Sequence, residues 1–356
     1  MILTEQLEIR KMQPSEASEV RKVASKAFAF IESILIGKPR EAMVAVLDGK
    51  IVGGIIIKYI SSASHKIGYY DGAFIHPDYH GRGIGAALYK ATGAYLWEQG
   101  CTAQAAFVKD DNVASWKLFL NCGFSRVSFF EGQKKLGLPT MIKYYFSSPY
   151  FASIGMEFYL AVKDVTLEEK SQSTPKNLFL YLFMNAMLLL LGWVGSHKNY
   201  PIYLAAFLTV ITSGVLFSYI GTRFSKRKWY FRLNSGGAFL CGALNFFGSL
   251  LPMIGAWYPE RYENTKSFQR DLAVPAVLEW LALLGLTGIA CVYTDSHIFL
   301  NDLRILGVLL LFYKVIPIYP FESFGGGRVY RWNKWLYAIM AVLSVGLMLF
   351  AGNMVK

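Results

Sequence analysis

A short loop with three glycines, "HGRGIG" at residues 80–85, holds the residues with the clearest chemical potential in this sequence. Gly81, Gly83 and Gly85 have no side chains that would keep an anion away from the backbone amides. Apolar residues at helical spacing predict a helix over residues 84–98, directly behind the loop. The first amides of a helix lack partners within the helix and lie at the positive end of its dipole. The loop therefore predicts a binding site for a phosphate-bearing cofactor.

A glycine loop alone does not identify the cofactor. A P-loop would need Gly-Lys followed by Ser or Thr. A Rossmann unit would need GxGxxG early in a βαβ repeat, with an acidic residue about twenty positions later. This sequence has one such loop, no repeat and no GK[ST] motif. Both of these nucleotide-binding classes are therefore disfavoured.

The segments around the loop predict a β-rich domain. Two β-rich runs within residues 42–60 meet at Asp48-Gly49, a dipeptide typical of tight hairpins. Residues 66–75 and 103–108 predict two further strands. The loop therefore joins a strand to a helix in an α/β domain.

Two motifs, in the right order, resemble those of the Gcn5-related N-acetyltransferase (GNAT) family. The family's loop, Q/R-x-x-G-x-G/A, is matched by His80, Gly81, Arg82, Gly83, Ile84 and Gly85. Its second element, a helix that starts with asparagine and ends in Gly-Phe, is matched by Asn112, Ser115, Phe119, Gly123 and Phe124. The resemblance covers residues 7–162. It implies an α/β GNAT fold, with a mixed, mostly antiparallel sheet flanked by helices, and acetyl-CoA as cosubstrate with its pyrophosphate on the loop amides.

Two positions depart from the family's pattern. His80 stands where the family has Gln or Arg, and we expect little loss because backbone amides do most of the binding. Phe119 stands where the family often has a tyrosine that protonates the departing CoA thiolate, so water or another group must supply that proton. The resemblance also implies that Phe74 and Ile75, on the strand before the loop, contact the cofactor.

Asp71 is the candidate catalytic base, because it occupies the place of the family's usual carboxylate on the strand before the loop. The alternative is a strand-end residue that satisfies local backbone donors, and both interpretations stay open. Tyr69, Tyr70 and the segment 136–151 could line an acceptor groove, but core packing is the favoured interpretation of such aromatic residues. Cys122 is expected to be a buried structural thiol.

The composition changes along the chain. Hydrophobic residues make up 54% of it and charged residues only 17%, which is too apolar for an average soluble protein. A polar segment that contains a proline predicts a linker at residues 166–176, between a domain over 1–165 and a membrane domain over 177–356. No apolar signal peptide opens the sequence, so we expect the first domain in the cytoplasm.

Six apolar blocks predict membrane-embedded segments: residues 178–194, 202–220, 237–257, 272–293, 303–318 and 335–354. The stretch 236–257 contains five glycines, an asparagine and a proline, which suit a continuous helix poorly. Counting it as a crossing also puts the basic loop 325–334 outside, against the positive-inside tendency. We therefore expect an all-α polytopic membrane domain with five spans, a re-entrant segment at 236–257 and an external C-terminus.

The net charge of +12 does not indicate nucleic-acid binding. The densest basic run, "RFSKRKWYFR" at residues 223–232, follows an apolar block and suits a cytoplasmic anchor that faces anionic lipid. The four cysteines form no CxxC pair and the five histidines no HExxH motif. We expect neither disulfides nor a bound metal, and no nucleic-acid partner.

Short pieces of the second half resemble archaeal and bacterial site-2 proteases. They are "GAWYPERY" (255–262), "AVPAVLEW" (273–280) and the stretch 315–335, which ends in Arg-Trp-Asn-Lys-Trp. The zinc motifs are missing, because residues 213–217 read Ser-Gly-Val-Leu-Phe in place of HExxH and Gly325 stands near the place of the third ligand. Without two histidines and a carboxylate there is no tetrahedral zinc and no activated water. The resemblance therefore implies a protease-like shape without proteolysis.

These features favour a multi-pass enzyme of the cell membrane that moves an acetyl (acyl) group from acetyl-CoA to an amine. The acceptor would be a lipid, peptide or small molecule at or in the bilayer. The alternative is a non-catalytic acyl-CoA sensor or scaffold whose protease-like membrane domain binds a protein partner. Phe119 and the open role of Asp71 favour this alternative.

Overall fold

The computed structural model divides the 356 residues into two compact units. The N-terminal unit comprises Met1–Phe151 and Met156–Lys170, and the C-terminal unit comprises Ala152–Gly155 and Ser171–Lys356. The residues it describes are 7–28, 33–34, 36–62, 64–109, 112–147, 156–167, 173–193, 199–234, 237–260, 263, 265–293, 297–318 and 321–353. The predicted linker at 166–176 lies partly outside these residues, and the predicted domain boundaries stay predictions.

A seven-stranded sheet forms the centre of the N-terminal unit, in the order β1-β2-β3-β4-β5-β7-β6. Only β4 and β5 are parallel, and the other neighbours are antiparallel. The strands are Leu7–Lys11 (β1), Ala42–Leu47 (β2), Lys50–Ser61 (β3), Lys66–Ile75 (β4), Ala103–Lys109 (β5), Ser125–Arg126 (β6) and Met156–Val162 (β7). The predicted mixed sheet is confirmed. So is the hairpin at Asp48-Gly49, where the φ angles are 50° and 78°.

Helices flank both faces of this sheet, as predicted. They are Ala17–Ala27 (α1), Ile84–Glu98 (α2), Val113–Asn121 (α3), Phe129–Leu136 (α4) and Leu138–Ser147 (α5). Successive residues of β2 alternate between the two faces. Met43 and Leu47 pack with buried residues of α2 and α3, whereas Val44 and Val46 pack with those of α1.

A β-bulge interrupts the pairing of β3 with β4. Ile57 pairs with Tyr70 but Ile56 pairs with Gly72, so Asp71 is the extra residue on β4. The parallel pairing of β4 with β5 ends at the same level of the strand. Beyond the bulge, the edge of β4 that faces β5 has no strand partner among the described residues. The cleft is the space beside this unpaired edge of β4, between the bulge and the glycine loop.

The C-terminal unit is largely helical. Its helices are Thr174–Trp193 (α6), Tyr200–Thr222 (α7), Ala238–Phe246 (α8), Lys266–Val292 (α9), Ile298–Val315 (α10), Gly326–Trp332 (α11) and Lys334–Asn353 (α12). Within the described part of the chain, α7, α9 and α12 are long and apolar enough to cross a membrane. Helices α6 and α10 lie where the two other spans are predicted, and α10 carries Asp302, Arg304 and Lys314. The five-span topology stays a prediction.

The prediction of an all-α C-terminal unit is wrong in one respect. Trp229–Leu233 (β8) and Gly255–Pro259 (β9) pair as an antiparallel two-stranded sheet. Aromatic side chains stabilise such pairs across the strands, and here the ring of Phe231 lies edge-on to that of Trp257 with their centroids 5.4 Å apart. The last four residues of the basic run 223–232 are therefore part of a strand.

The third apolar block does not form a continuous helix. Helix α8 ends at Phe246, and irregular backbone leads from there to β9. Two buried asparagines bind this backbone: Asn245 Nδ2 donates to Leu251 O at 2.7 Å, and Asn185 Oδ1 accepts from Met253 N at 2.8 Å. Non-helical backbone within a membrane requires such internal partners. The re-entrant path itself stays a prediction.

Candidate active site

The bulge places Asp71 beside Lys58 of β3. Lys58 Nζ lies 2.9 Å from Asp71 Oδ2, and the Asp71 side chain is 18% exposed. Asp71 Oδ1 is buried and has no hydrogen-bond partner within the described ranges. Buried carboxylate oxygens are normally paired, so this oxygen has an unused acceptor position, and the role of Asp71 as the base stays a prediction. In the described part of the chain no backbone N–H donates to Asp71, which weakens the strand-end interpretation.

Backbone amides line the cleft between the bulge and the loop. His76 N donates to Val52 O of β3 at 2.8 Å. Neighbouring residues of a strand direct their amides to opposite edges, so those of Ala73 and Ile75 face the open edge of β4. A donor at this edge can bind the carbonyl oxygen of a substrate that lies in the cleft.

The two strand residues predicted to contact the cofactor, Phe74 and Ile75, lie in different surroundings. Ile75 lies at the open edge, and its carbonyl is 2.9 Å from His80 Nε2, so the imidazole ties the loop to the end of β4. The side chain of Phe74 is buried, with its ring 6.3 Å from that of Phe28. Its backbone faces β3, where Phe74 pairs with Gly54, so the predicted contact of Phe74 with the cofactor stays a prediction.

The loop glycines adopt backbone angles that favour glycine. Gly81 has a φ of 80° and Gly83 a φ of 78°. Gly83 is the N-cap of α2, no side chain caps this helix, and its first bond runs from Ala87 N to Gly83 O at 3.2 Å. The amides of residues 84–86 therefore have no acceptor within the helix. The side chain of Ile84 is buried, so this residue also offers only its amide.

The residues that the structure describes leave space beside the loop glycines. A Cβ on Gly83 would meet no atom within 4 Å, and a Cβ on Gly85 would meet only Leu118 Cδ1, at 3.5 Å. The Arg82 guanidinium lies 5.1 Å from the centre of the Tyr79 ring, which adds positive charge beside the loop. Free amides, a helix dipole and a cation are the features that bind a pyrophosphate. The loop therefore fits the pyrophosphate of acetyl-CoA.

The second motif packs α3 against the loop helix. The side-chain oxygen of Asn112 accepts from Ser115 N at 3.3 Å, so Asn112 acts as a helix cap. Phe119 is buried, with its ring centroid 4.7 Å from that of Tyr89 and 5.3 Å from that of Tyr70. These are contacts within the protein, and the predicted contacts of Asn112, Ser115 and Phe119 with the cofactor stay predictions.

The two tyrosines around Phe119 are weak candidates for the missing proton donor. Burial raises the pKa of Tyr89, against a smaller lowering by the side chain of Ser115. Burial also raises the pKa of Tyr70 well above its ordinary value, and the Tyr70 hydroxyl donates to Gln104 Oε1 at 2.7 Å. A hydroxyl with a raised pKa releases its proton less readily. Water is the simplest proton source for the departing thiolate.

The other aromatic residues singled out in the sequence belong to the core. Tyr69 and Tyr144 are fully buried, with their rings edge-on at 5.4 Å, and Tyr145 is also buried. Cys122 is half-buried, and burial raises the pKa of its thiol. Packing therefore accounts for these four residues.

Lys58 is the site residue that the sequence did not indicate. It lies on β3 opposite Tyr69, and its side chain reaches Asp71. A strand pairing without the bulge would have placed Asp71 on a different row of the sheet. The available signal was a lysine after three consecutive isoleucines in a β-rich run.

No group of three or more histidine, cysteine, aspartate or glutamate side chains is arranged to hold a metal ion in the part of the chain that the structure describes. The predicted absence of a metal stays a prediction for the whole chain.

Residues 6–124 match the sequence model of the Acetyltransferase (GNAT) family. This range contains the bulge, the cleft, the glycine loop and α3. The helical C-terminal unit lies outside the match and has no family assignment, so the predicted likeness to site-2 proteases gains no support from it. No protein with a curated description matches the chain.

Several solved structures are similar to part of the chain. The ribosomal-protein-S18-alanine N-acetyltransferase from Escherichia coli is 14% identical, over 47% of this chain and 99% of that one, with a TM-score of 0.33. A GNAT family acetyltransferase from Brucella melitensis, in complex with acetyl-CoA, is 18% identical over 47% of this chain and 94% of that one, with a TM-score of 0.30. The assignment of residues 6–124 to the GNAT family rests on the match to the family's sequence model and not on these structural likenesses.

Proposed function

We propose that the chain, whose residues 6–124 form an acetyl-CoA-dependent GNAT acetyltransferase domain, acetylates an amine that is carried by a molecule at or in a membrane. The observation that carries the proposal is the position of Asp71, whose unpartnered oxygen lies at the bulge where the cleft begins. The three long apolar helices of the C-terminal unit support the membrane location of the acceptor.

Three groups along the cleft carry out the proposed reaction. The amides of residues 84–86 bind the pyrophosphate of the cosubstrate at the start of α2. The amide of Ile75, at the open edge of β4, donates to the acetyl carbonyl oxygen and stabilises the negative charge that develops there. Asp71 Oδ1 accepts the proton of the attacking amine.

The transfer exchanges one bond for another. The amine nitrogen forms a bond to the acetyl carbonyl carbon, and the bond from that carbon to sulfur breaks. Asp71 takes the proton from the nitrogen, and the departing thiolate takes a proton from water because Phe119 has none to give. The hydroxide left by that water takes the proton from Asp71 and restores the carboxylate. The products are an N-acetylated acceptor and free CoA.

Lys58 has a positioning role in this account. Its ammonium binds one oxygen of Asp71 at 2.9 Å and leaves the other oxygen for the amine. About half of the Lys58 side chain is exposed, so solvent screens the pair in the absence of substrate.

The finer organisation is part of the proposal. A cytoplasmic domain over residues 1–165 and a linker over 166–176 precede a multi-pass domain over 177–356, with five spans and a re-entrant segment at 236–257. The end of α8 at Phe246 and the asparagine-bound backbone after it support the re-entrant path. The sequence likeness to site-2 proteases, without their zinc motifs, suggests a non-proteolytic domain.

A second candidate function is a non-catalytic acyl-CoA sensor whose membrane domain binds a protein partner. The observation that favours it is the pairing of Asp71 with Lys58, because an ion pair at the base position competes with the incoming amine. Phe119, which cannot supply a proton to the thiolate, also favours this candidate. Both candidates need the loop to bind CoA.

Mass spectrometry of membranes from cells with and without the chain separates the two candidates. If the chain is an enzyme, an N-acetylated lipid, peptide or small amine 42 mass units (roughly one acetyl group in place of a proton) heavier than its precursor appears only with the wild-type chain. Cells that produce the Asp71→Asn variant serve as the matched control. Identical acetylation in all samples, together with acetyl-CoA binding by the purified chain, favours the sensor.

A further inference from the structure

The C-terminal unit contains a cavity of about 70 Å³. This volume exceeds the ~10–15 Å³ that holds a single water molecule, so the cavity has room for several waters or for a small ionised group. Apolar residues of α7, α9 and α10 form much of its wall. The charged residues that line it are Glu279, Lys314 and Arg328.

Lys314 and Glu279 neutralise each other in this wall. Lys314 Nζ donates to Glu279 Oε1 at 2.6 Å and to the carbonyl of Phe324 at 2.8 Å. The Lys314 side chain is only 5% exposed. Two of the three ammonium hydrogens therefore have partners, and one carboxylate balances the charge.

Arg328 is the charge that remains. It is 6% exposed, its Nη1 donates to Trp257 O at 3.3 Å, and its guanidinium lies 4.6 Å from the centre of the Tyr258 ring. Arg328 Nη2 is buried and has no hydrogen-bond partner among the residues that the structure describes. The charged lining thus holds two cations against one carboxylate.

A close backbone approach places Arg328 at the cavity. Arg328 lies on α11, which begins at Gly326 in a run of three glycines. A Cβ on Gly326 would lie 2.0 Å from the carbonyl oxygen of Lys314, so only glycine lets α11 approach the end of α10 this closely. The same approach brings Arg328 into the cavity that Lys314 lines.

We propose that this cavity binds an oxyanion, a phosphate or carboxylate group, between Arg328 Nη2 and the remaining ammonium hydrogen of Lys314. A buried guanidinium cannot lose its proton to escape the cost of burial, so it needs an anionic partner. Its fork of N–H donors matches the two oxygens of such a group. The proposal concerns the C-terminal unit alone and does not depend on acetyl transfer.

The test measures thermal unfolding of the full chain, purified in neutral detergent, against three probes at constant ionic strength. The probes are inorganic phosphate, acetate and dihexanoyl phosphatidic acid, with chloride as the reference salt. We expect at least one oxyanion to raise the unfolding midpoint in a saturable way. A response to phosphate or acetate identifies a free anion as a sufficient ligand, and a response only to the phosphatidic acid identifies a lipid headgroup.

Arg328→Gln should weaken the apparent affinity for that probe by about tenfold or more, because it removes the charged donor. Arg331→Gln is the matched control, since Arg331 lies on the same helix, is bound to Glu322 at 3.3 Å and does not line the cavity. Arg328→Lys, which keeps the charge but not the fork, serves if the glutamine variant does not fold. Equal responses of wild type and Arg328→Gln, or no saturable response of the wild type to any probe, would overturn the proposal.

Discussion

Lys58 Nζ lies 2.9 Å from one oxygen of Asp71, while the other oxygen of Asp71 is buried and has no hydrogen-bond partner among the described residues. The bulge on β4 creates this arrangement. Asp71 is one extra residue in β4, and the residues on either side of it pair with successive residues of β3. One oxygen of this carboxylate is paired with a lysine and the other has no partner, next to an unpaired strand edge, and this arrangement supports the proposed role of Asp71 as the base.

Asp71→Asn should lower kcat by roughly a hundredfold or more and leave the acetyl-CoA affinity nearly unchanged, because only the proton acceptor is lost. Steady-state kinetics and calorimetry measure the two quantities. Asp48→Asn in the hairpin turn is the control, since asparagine also adopts the positive φ of that turn. A kcat of Asp71→Asn within a factor of two of the wild-type value would show that Asp71 is not the base.

Gly83→Asp should abolish acetyl-CoA binding, because a carboxylate would face the pyrophosphate at the start of α2. The φ of 78° makes any side chain at Gly83 strained, so Gly83→Asn is the matched variant, with a similar backbone preference and no charge. Calorimetry should show a much larger loss for aspartate than for asparagine. Equal affinities of the two variants would mean that the loop does not hold the pyrophosphate.

The ion pair between Arg10 and Glu16 should make the stability of the N-terminal unit depend on pH. Arg10 donates to both oxygens of Glu16, at 2.8 and 2.6 Å, and this pairing lowers the pKa of Glu16 from 4.5 to about 2. Because the folded-state pKa is depressed, the stabilisation is complete above pH 4.5 and is lost as the pH falls towards 2.

Glu16→Gln should therefore cost roughly 1 kcal/mol at neutral pH, and this cost should shrink as the pH falls below the usual pKa of a glutamate. Hydrogen exchange of the amides in β1 and α1 of the full chain measures it. The exposed Glu19→Gln on α1 is the control. A cost that stays constant down to pH 3 (about one unit above the folded pKa) would show that Glu16 stabilises by packing and not by charge.

The missing zinc motifs lead us to expect no stoichiometric zinc in the purified protein and no effect of chelators on acetyl transfer. Elemental analysis of the full chain, with chelator-treated protein assayed in parallel, measures both. One bound metal per chain would reveal ligands that neither the sequence nor the described residues indicate.

The topology prediction places Asn333 in the cytoplasm and Lys356 outside. Asn333 is exposed at the end of α11, and Lys356 lies outside the described residues. After replacement of the four native cysteines, single cysteines at the two positions are treated with a membrane-impermeant reagent on intact cells. Lys356→Cys should be labelled and Asn333→Cys protected. The reverse labelling pattern would show that residues 236–257 cross the membrane completely.

Local signals predicted much of the N-terminal unit. The Asp-Gly hairpin and the glycine loop each depend on a few neighbouring residues, and each is found where it was predicted. Lys58 was missed because one extra residue in β4 changes which side chains meet across the strands. Long-range register of this kind is not encoded in any single stretch.

The C-terminal unit was harder to predict because strands rich in aromatic residues and membrane helices have similar compositions. The pairing of β8 with β9 joins segments more than twenty residues apart, as Tyr230 with Tyr258 illustrates. Arg328 was expected in an exposed basic loop, but it is buried on α11, whereas Arg331 on the same helix is exposed. The close approach of Gly326 to Lys314, which no single stretch of the sequence shows, brings the start of α11 against α10.

The most direct test of the central claim is acetyl transfer by the full chain in proteoliposomes. Radiolabelled acetyl-CoA is added to wild-type protein and to Asp71→Asn, in liposomes made from total membrane extract that supplies the acceptor. We expect label in a membrane amine with the wild type, and roughly a hundredfold less with the variant. Acetyl-CoA binding without any transfer of label, or equal transfer by the two proteins, would contradict the account.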